Sequence, residues 1–491
     1  LNTFLELVVE SFSSHVVAVR RHRPLRAALF AAAVVVVAGA PRRAAADLTA
    51  DKVDFMAYGR IGIGWTGSGQ VVAGKYMNLG DHKAIGGRLE EGDYLQPGLR
   101  YHIKKAANPD DTSVDFVSDF EMFSLNGALV SDLSNGDIND IRIEPLQAYI
   151  EAKNVLTKDL TVWMGSNLYR KNDIHICDYF YFNSLPGQGV GALYHGLDVA
   201  ILTQTGASKF FATDLNAGLP APAAPAIVQR ERTMFIGQYS YPLGIGTSYV
   251  QGLGEFHVVP RSGDAKHTSV ANVNPPDYGL VGGVKLHMDL GSGDFTDASV
   301  RYGNRIANGA ESGGSTYNTF GEPGLDGKYT GAYGVEVVEH FMWNVGDIVS
   351  INGYGTLHYS RGGTGYAPAA ADPGNPTGEV SVPVHNTRFD YAVGARPTFY
   401  LSDQLHVITE ATFQTRKDQG LPTGTAVKLS IAPTIVPTGE RSAWARPEMR
   451  FIYTAGIYND AAIDQRMSPY LQTMGPTRVA HFVGARSEWW F

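Results

Sequence analysis

From residue 53 onward, polar and apolar positions alternate with a period of two, which is the spacing of β-strands. In Val53–Ile63, Phe55, Ala57, Gly59 and Ile61 share one face, while Met56, Tyr58 and Arg60 share the other. In Leu405–Gln414, Leu405, Val407, Thr409, Ala411 and Phe413 oppose His406, Ile408, Glu410, Thr412 and Gln414. In Val349–Tyr359, Val349, Ile351, Leu357 and Tyr359 oppose Ser350, Asn352, Tyr354, Thr356 and His358. Each strand has one small or apolar face and one polar or aromatic face. Alternation alone does not say whether the apolar face meets lipid or the core of a soluble sandwich.

The connections add direction. Short turns such as Leu401–Gln404 and Trp343–Asp347 alternate with long polar stretches at Asn304–Gly327, Gly362–Gly378 and Ala455–Gly475. The Pro/Ala-rich segment Gly218–Ile227 reads as a further long loop, with a linker as the other reading. Short turns on one rim and long loops on the other are the asymmetry of outer-membrane barrels. At about 25 residues per strand and connection, roughly 445 residues make 16–18 strands, enough for an aqueous lumen. Val479–Phe491 alternates to its last residue. His481, Val483, Ala485, Ser487, Trp489 and Phe491 lie on one face, and Phe482, Gly484, Arg486, Glu488 and Trp490 on the other. Such a strand, ending on an aromatic, suits a barrel-closing position at a membrane interface.

Composition is compatible with this architecture. No stretch in the body of the chain approaches the ~18 apolar residues of a spanning helix, so membrane residence requires a closed barrel. The 56 Gly, 25 Tyr and 22 Phe among 491 residues suit twisted strands, tight turns and aromatic girdles. The single cysteine, Cys177, excludes an internal disulfide and reads as a buried thiol. Arg20, Arg21, Arg23 and Arg26 precede the apolar run Ala27–Ala40, and Ala44–Ala46 precede Asp47. This is the pattern of a secretory signal, so residues 1–46 are expected to be a signal and upstream segment and 47–491 the barrel. The formal charge of −8 becomes −12 without residues 1–46, which argues against nucleic acid as a partner.

Neither G-x-S-x-G nor H-E-x-x-H occurs, so the chain reads as a channel rather than an enzyme, although barrel hydrolases can lack such motifs. Gly69 to Gly74-Lys75 has phosphate-loop spacing, but Tyr76 replaces the Ser/Thr and no helical pattern follows. Asp173 and His175 lack further ligands at metal spacing, and no metal or cofactor is expected.

Four islands then resemble the maltoporin family. The first is Tyr58-Gly59-Arg60-Ile61-Gly62-Ile63-Gly64-Trp65-Thr66-Gly67-Ser68-Gly69. The second is Val162-Trp163-Met164-Gly165, continuing through Tyr169, Asp173, Ile174, His175, Asp178, Tyr179, Phe180 and Tyr181 to Pro186-Gly187. The third is Ser442-Ala443-Trp444-Ala445-Arg446-Pro447 and the fourth Trp489-Trp490-Phe491. The resemblance implies an all-β transmembrane antiparallel barrel of 18 strands in the outer membrane. It also implies a homotrimer and passive diffusion of oligosaccharides along an aromatic slide flanked by a polar track.

Carried over, the slide comprises Tyr58, Tyr94, Phe295, Trp444 and Trp490. The track includes Arg60, Arg88, Lys171, Asp173 and Asp178, with Phe180 at the constriction and the second island forming an inward-folded loop. Alternation independently places Tyr58 with Arg60, Trp444 with Arg446, Glu448 and Arg450, and Trp490 with Glu488 and Arg486. The plainer readings are interfacial girdle aromatics and solvated lumen arginines. The chain departs from the family where Lys171 replaces an arginine, Phe180 a tyrosine and Gln96 a glutamate. Another track arginine and the tryptophan contributed by a neighbouring subunit have no match. A general diffusion porin is the alternative function, and an outer-membrane enzyme the more distant one.

Overall fold

A computed structural model describes residues 52–66, 77–80, 85–124, 127, 129, 141–204, 231–261, 275–309, 315–321, 323–324, 326–363, 366–368, 381–383 and 386–491. Eighteen strands form one closed antiparallel sheet. They are β1 Val53–Thr66, β2 Tyr94–Lys104, β3 Ser113–Ser124, β4 Ile141–Lys153, β5 Thr161–Asn167 and β6 Gly187–Tyr194. Next come β7 Leu197–Gln204, β8 Arg232–Pro242, β9 Tyr249–Val259, β10 Asp277–Gly291, β11 Asp294–Asn304 and β12 Tyr333–Val345. The last are β13 Val349–Arg361, β14 Thr387–Tyr400, β15 Leu405–Asp418, β16 Gly424–Ile435, β17 Glu448–Tyr458 and β18 Val479–Trp490. Each strand pairs with its neighbours in sequence, and β1 closes on β18 with Tyr58 opposite Trp490 and Thr66 opposite Phe482.

The parity of the sequence is the parity of the wall. Phe55, Ile61, Ile63 and Trp65 are exposed on the outer face of β1, whereas Tyr58, Arg60 and Thr66 point inward. The same division holds in β13, β15 and β18. Gly59 leaves room for the ring of Trp489 across the β1–β18 pair, since a Cβ there would meet its Cζ2 at 2.4 Å. The ladder skips beside Pro397 and Pro433, which have no N–H to donate. Among the described residues, no helix is long and apolar enough to cross a membrane.

The rims are unequal, with two exceptions to the expected asymmetry. His195-Gly196 and Ser292-Gly293 are two-residue turns with positive φ at both positions, which matches the twist of the strands they join. The opposite rim carries the span 168–186, and the strand ends that flank 67–93, 205–231, 305–332 and 362–386 lie on it. However, the long-loop rim also holds the short Gln419–Thr423 link, and the short-turn rim holds Val436–Pro447. Ala455–Tyr458 belongs to β17, so the last long loop begins later than expected. It contains two short helices, α1 (Asp460–Asp464) and α2 (Pro469–Met474), capped by Asn459 and Ser468. The strand β12 continues to Val345, which confines the expected Trp343–Asp347 turn to Gly346–Ile348. The expected signal segment 1–46, the Gly67–Lys75 stretch, the Pro/Ala segment 218–227 and parts of 304–327 and 362–378 lie outside the described residues.

Two long connections fold into the lumen. From the span 168–186, Tyr169, Ile174, Ile176, Cys177, Tyr179, Tyr181, Phe182 and Leu185 are all buried in one apolar cluster. Cys177 is a buried free thiol, as expected from how often free cysteines are buried. From the span 67–93, Met77, Leu79 and Leu89 pack with residues of α1 and α2. The lumen is therefore partly filled by its own loops.

Candidate functional site

The inward loop 168–186 is fastened around the wall by side chains from many strands. Tyr169 Oη donates to Asp198 at 2.8 Å and Asn183 Nδ2 to Gln238 at 3.2 Å. Lys285 donates to Asn172 at 2.6 Å, and Tyr181 Oη to Asp297 at 3.1 Å. Glu336 accepts from Tyr179 Oη at 2.9 Å and from the Phe182 N–H at 3.2 Å, while Arg396 donates to the Ile176 carbonyl at 3.0 Å. These bonds hold Tyr169, Asp178 and Phe182 at φ of 40°, 50° and 63°. Left-handed backbone costs a non-glycine residue roughly 1–2 kcal/mol, so the loop keeps this shape only because the wall fixes it.

The first inward segment delivers Arg88. Glu90 pairs with Lys428 at 2.5 Å, both fully buried. Gly87 passes so close to Glu410 that a Cβ would fall 1.6 Å from its Oε1. A side chain at this position would have to push the Glu410 carboxylate away. Arg88 thereby reaches Tyr58 Oη by a hydrogen bond, Glu91 at 2.8 Å and Asp178 at 3.4 Å.

Four of the five slide candidates come together. The rings of Tyr94 and Tyr58 are 5.8 Å apart, and those of Tyr58 and Trp490 are 6.5 Å apart and stacked. His175 joins them to the fourth, since its ring stands 5.4 Å from Trp490, edge-on, and 6.1 Å from Trp444. Trp444 sits in the turn before β17, with its ring more than a third exposed. Phe295 does not join the file. It packs at 6.1 Å against His287 and at 5.1 Å against His340 in a separate group.

The polar candidates divide similarly. Arg60 pairs with Glu91 at 3.1 Å, donates to Tyr58 Oη at 3.0 Å and lies 5.0 Å over the Tyr94 ring. Arg60, Arg88 and Asp178 thus converge on the aromatic file. Asp173 stands opposite Phe180 in a two-residue hairpin, its Oδ2 3.9 Å from His175 Nδ1. Lys171 turns away and pairs with Asp198 in a neighbouring cavity.

Several participants were not singled out from the sequence. Glu488 is the hub beneath the file: it accepts from Tyr58 Oη at 2.8 Å and from Arg446 at 3.0 Å, and it pairs with Arg450. Arg446 also lies 4.1 Å over the Trp490 ring. Arg170 lies 3.9 Å over Phe180, and among the described residues no carboxylate pairs with it. Inward parity with Trp490 and Trp444 marked Glu488 and Arg446 as lumen residues. Nothing in the periodicity marked Glu91, Arg170 or the aromatic role of His175, because all three lie on loops.

Burial lowers the His175 imidazole to a pKa of about 4, against the opposing pull of Glu488, whose Oε1 lies 3.2 Å from Nε2. The ring is therefore neutral at pH 7. The file borders a lumen cavity of about 730 Å³, lined among others by Tyr58, Tyr94, Trp490, Arg60, Arg88, Arg170 and Phe180. A second cavity of about 400 Å³ adjoins it, sharing Gln96 and Arg170. Among the described residues, no group of three His, Cys, Asp or Glu side chains is arranged to hold a metal ion.

The maltoporin of Photobacterium profundum is 30% identical over 171 residues, 31% of this chain and 40% of that protein. Maltoporin 2 of Yersinia pseudotuberculosis is 29% identical over 146 residues, 29% of this chain and 32% of its own length. Both alignments thus cover well under half of the relatives they match. Among solved structures, Pseudomonas aeruginosa OpdK with vanillate superposes with a TM-score of 0.42 at 10% identity, covering 90% of this chain and 98% of that one. The LamB porin family signature spans residues 53–491, the whole barrel from its first strand to its last residue. With that match, on an 18-stranded closed barrel whose outer face is apolar, the chain belongs to the LamB porin family of outer-membrane proteins.

Proposed function

We propose that this porin is a passive channel for sugars, which pass along the file Tyr94–Tyr58–Trp490–Trp444 with His175 closing its gap. A pyranose has apolar C–H faces and a rim of hydroxyls. Aromatic rings offer flat, stiff surfaces to the faces, and charged groups at their edges exchange hydrogen bonds with the hydroxyls. The single observation that carries this reading is the contiguity of the file, with ring separations of 5.4 to 6.5 Å and Arg60, Arg88 and Asp178 along its flank. Serial weak sites of this kind let a solute enter and leave.

The track is proposed to use Arg170 beside the residues that the resemblance implies. With Lys171 engaged by Asp198, the guanidinium that faces the constriction is Arg170, stacked on a Phe180 ring that has no hydroxyl to donate. A solute passing Phe180 then meets a cation and an apolar face. The assembly is proposed to be a homotrimer embedded in outer-membrane lipid, with oligosaccharides as the permeating partners. Titration of ion current through the reconstituted pore with maltotriose, sucrose and glucose tests the reading. Saturable block by at least one of them is expected. Undiminished current with all three at high concentration would instead make this a general diffusion porin.

A further inference from the structure

The smaller cavity has features that the aromatic file does not use. We propose that it is a second carbohydrate subsite, receiving one neutral pyranose ring to the side of the file; the inference rests on the sugar-channel reading above.

The cavity of about 400 Å³ lies between the inward faces of β2–β7 and the start of the inward loop. Its platform is Tyr149, half-buried, whose ring is backed edge-on by Trp163 at 6.2 Å. Trp163 is in turn held by Tyr169 at 6.0 Å, and both of these are only 5% exposed. They stiffen Tyr149 and leave its ring as the aromatic surface open to the cavity. The rim is mixed in hydrogen-bonding character. Gln147 donates to Asp119 Oδ2 at 2.5 Å, and the carboxylates of Glu151 and Asp198 line the same cavity. The donors of Arg170, which has no carboxylate partner among the described residues, and of Lys171 line it too.

Hydroxyls both donate and accept, so they suit this set better than an ion does. An anion would face Asp119, Glu151 and Asp198, and a cation would face Arg170 and Lys171. The volume is near the low end for ligand pockets, which fits one ring and not a chain. A short path leads there from the file. Tyr94 Oη donates to Gln96 at 3.2 Å, and Gln96 Nε2 lies 3.5 Å from the same Asp119. A ring leaving Tyr94 at this point is handed to Tyr149 across Gln96 and under Arg170.

The test is block of ion current by glucose and by maltotriose through the full-length protein in planar bilayers. Variants are Tyr149→Ala, Gln147→Leu, Trp490→Ala and the double variant Trp490→Ala/Tyr149→Ala. Tyr149→Ala should weaken the glucose block by about three- to five-fold, the loss of one aromatic contact. In the double variant, the residual block left by Trp490→Ala should fall further. Gln147→Leu keeps the volume, and so decides the matter if Tyr149→Ala forms no pores. If Trp490→Ala weakens block while Tyr149→Ala and Gln147→Leu both leave it unchanged, the second subsite is wrong and the file stands. If wild-type current is insensitive to both sugars, the sugar-channel reading itself fails.

Discussion

Replacing Trp490 with alanine isolates the contribution of one ring in the file. Trp490 stacks with Tyr58, receives the edge of His175 and lies under Arg446, whose guanidinium carbon is 4.1 Å from its centroid. Among the described residues its side chain makes no hydrogen bond to the wall, and Glu488, next on the same face, retains Tyr58, Arg446 and Arg450 as partners. The barrel should therefore assemble without it. An aromatic contact of this type contributes about 1 kcal/mol, so sugar affinity should fall about five-fold. Release of Arg446 from the ring forfeits a further ~0.5–1 kcal/mol of cation–π attraction within the protein, which affects the pore and not the sugar. The assay is a maltotriose titration of single-pore current, with the sugar-free conductance recorded as a check on assembly. Phe295→Ala is the internal control: its ring belongs to the group with His287 and His340, so its effect should be smaller. An unchanged maltotriose dissociation constant in Trp490→Ala, with normal conductance, would refute the reasoning.

Three further outcomes are expected. Glu336→Leu leaves Arg301 buried without its carboxylate and removes acceptors from Tyr179 and Phe182, a loss of about 3–5 kcal/mol; the inward loop should loosen, raising conductance and weakening sugar block together, and a conductance equal to wild type would count against the anchoring role. Gly87→Ala forces Glu410 away from a Cβ 1.6 Å distant and disturbs the Arg396 contact to Ile176, costing roughly 1–3 kcal/mol; thermal unfolding of the folded barrel should shift downward. Below pH 6.5 the unfolded His175 imidazole binds a proton that the folded one excludes until about pH 4, so wild type should lose stability across that window while His175→Gln lacks this slope. Parallel unfolding curves for the two proteins from pH 7 to pH 4 would show that the imidazole does not carry the effect.

The wall was legible in the chain because a strand's side-chain period is two, and a one-residue slip would exchange lipid and lumen faces throughout. Phe55 and Ile61 against Tyr58 and Arg60, or Phe491 against Trp490, needed no tertiary knowledge to be assigned opposite sides. The same parity brought Trp490 and Tyr58 inward before the β1–β18 pairing set them opposite each other. Loops carry no such period. The placement of Arg88 depends on Gly87 slipping past Glu410 from β15, more than three hundred residues away in the chain. The engagement of Lys171 by Asp198, which leaves Arg170 over Phe180, depends on how the inward loop meets β7. Phe295 shared the inward parity of the file, yet lies apart from it, because parity gives the face of a residue and not its height or its angle around the barrel. Sequence alone therefore determined which side of the wall each strand residue occupies. Tertiary structure decided which inward residues meet, because those meetings are made by loops whose shapes are fixed only by bonds to distant strands.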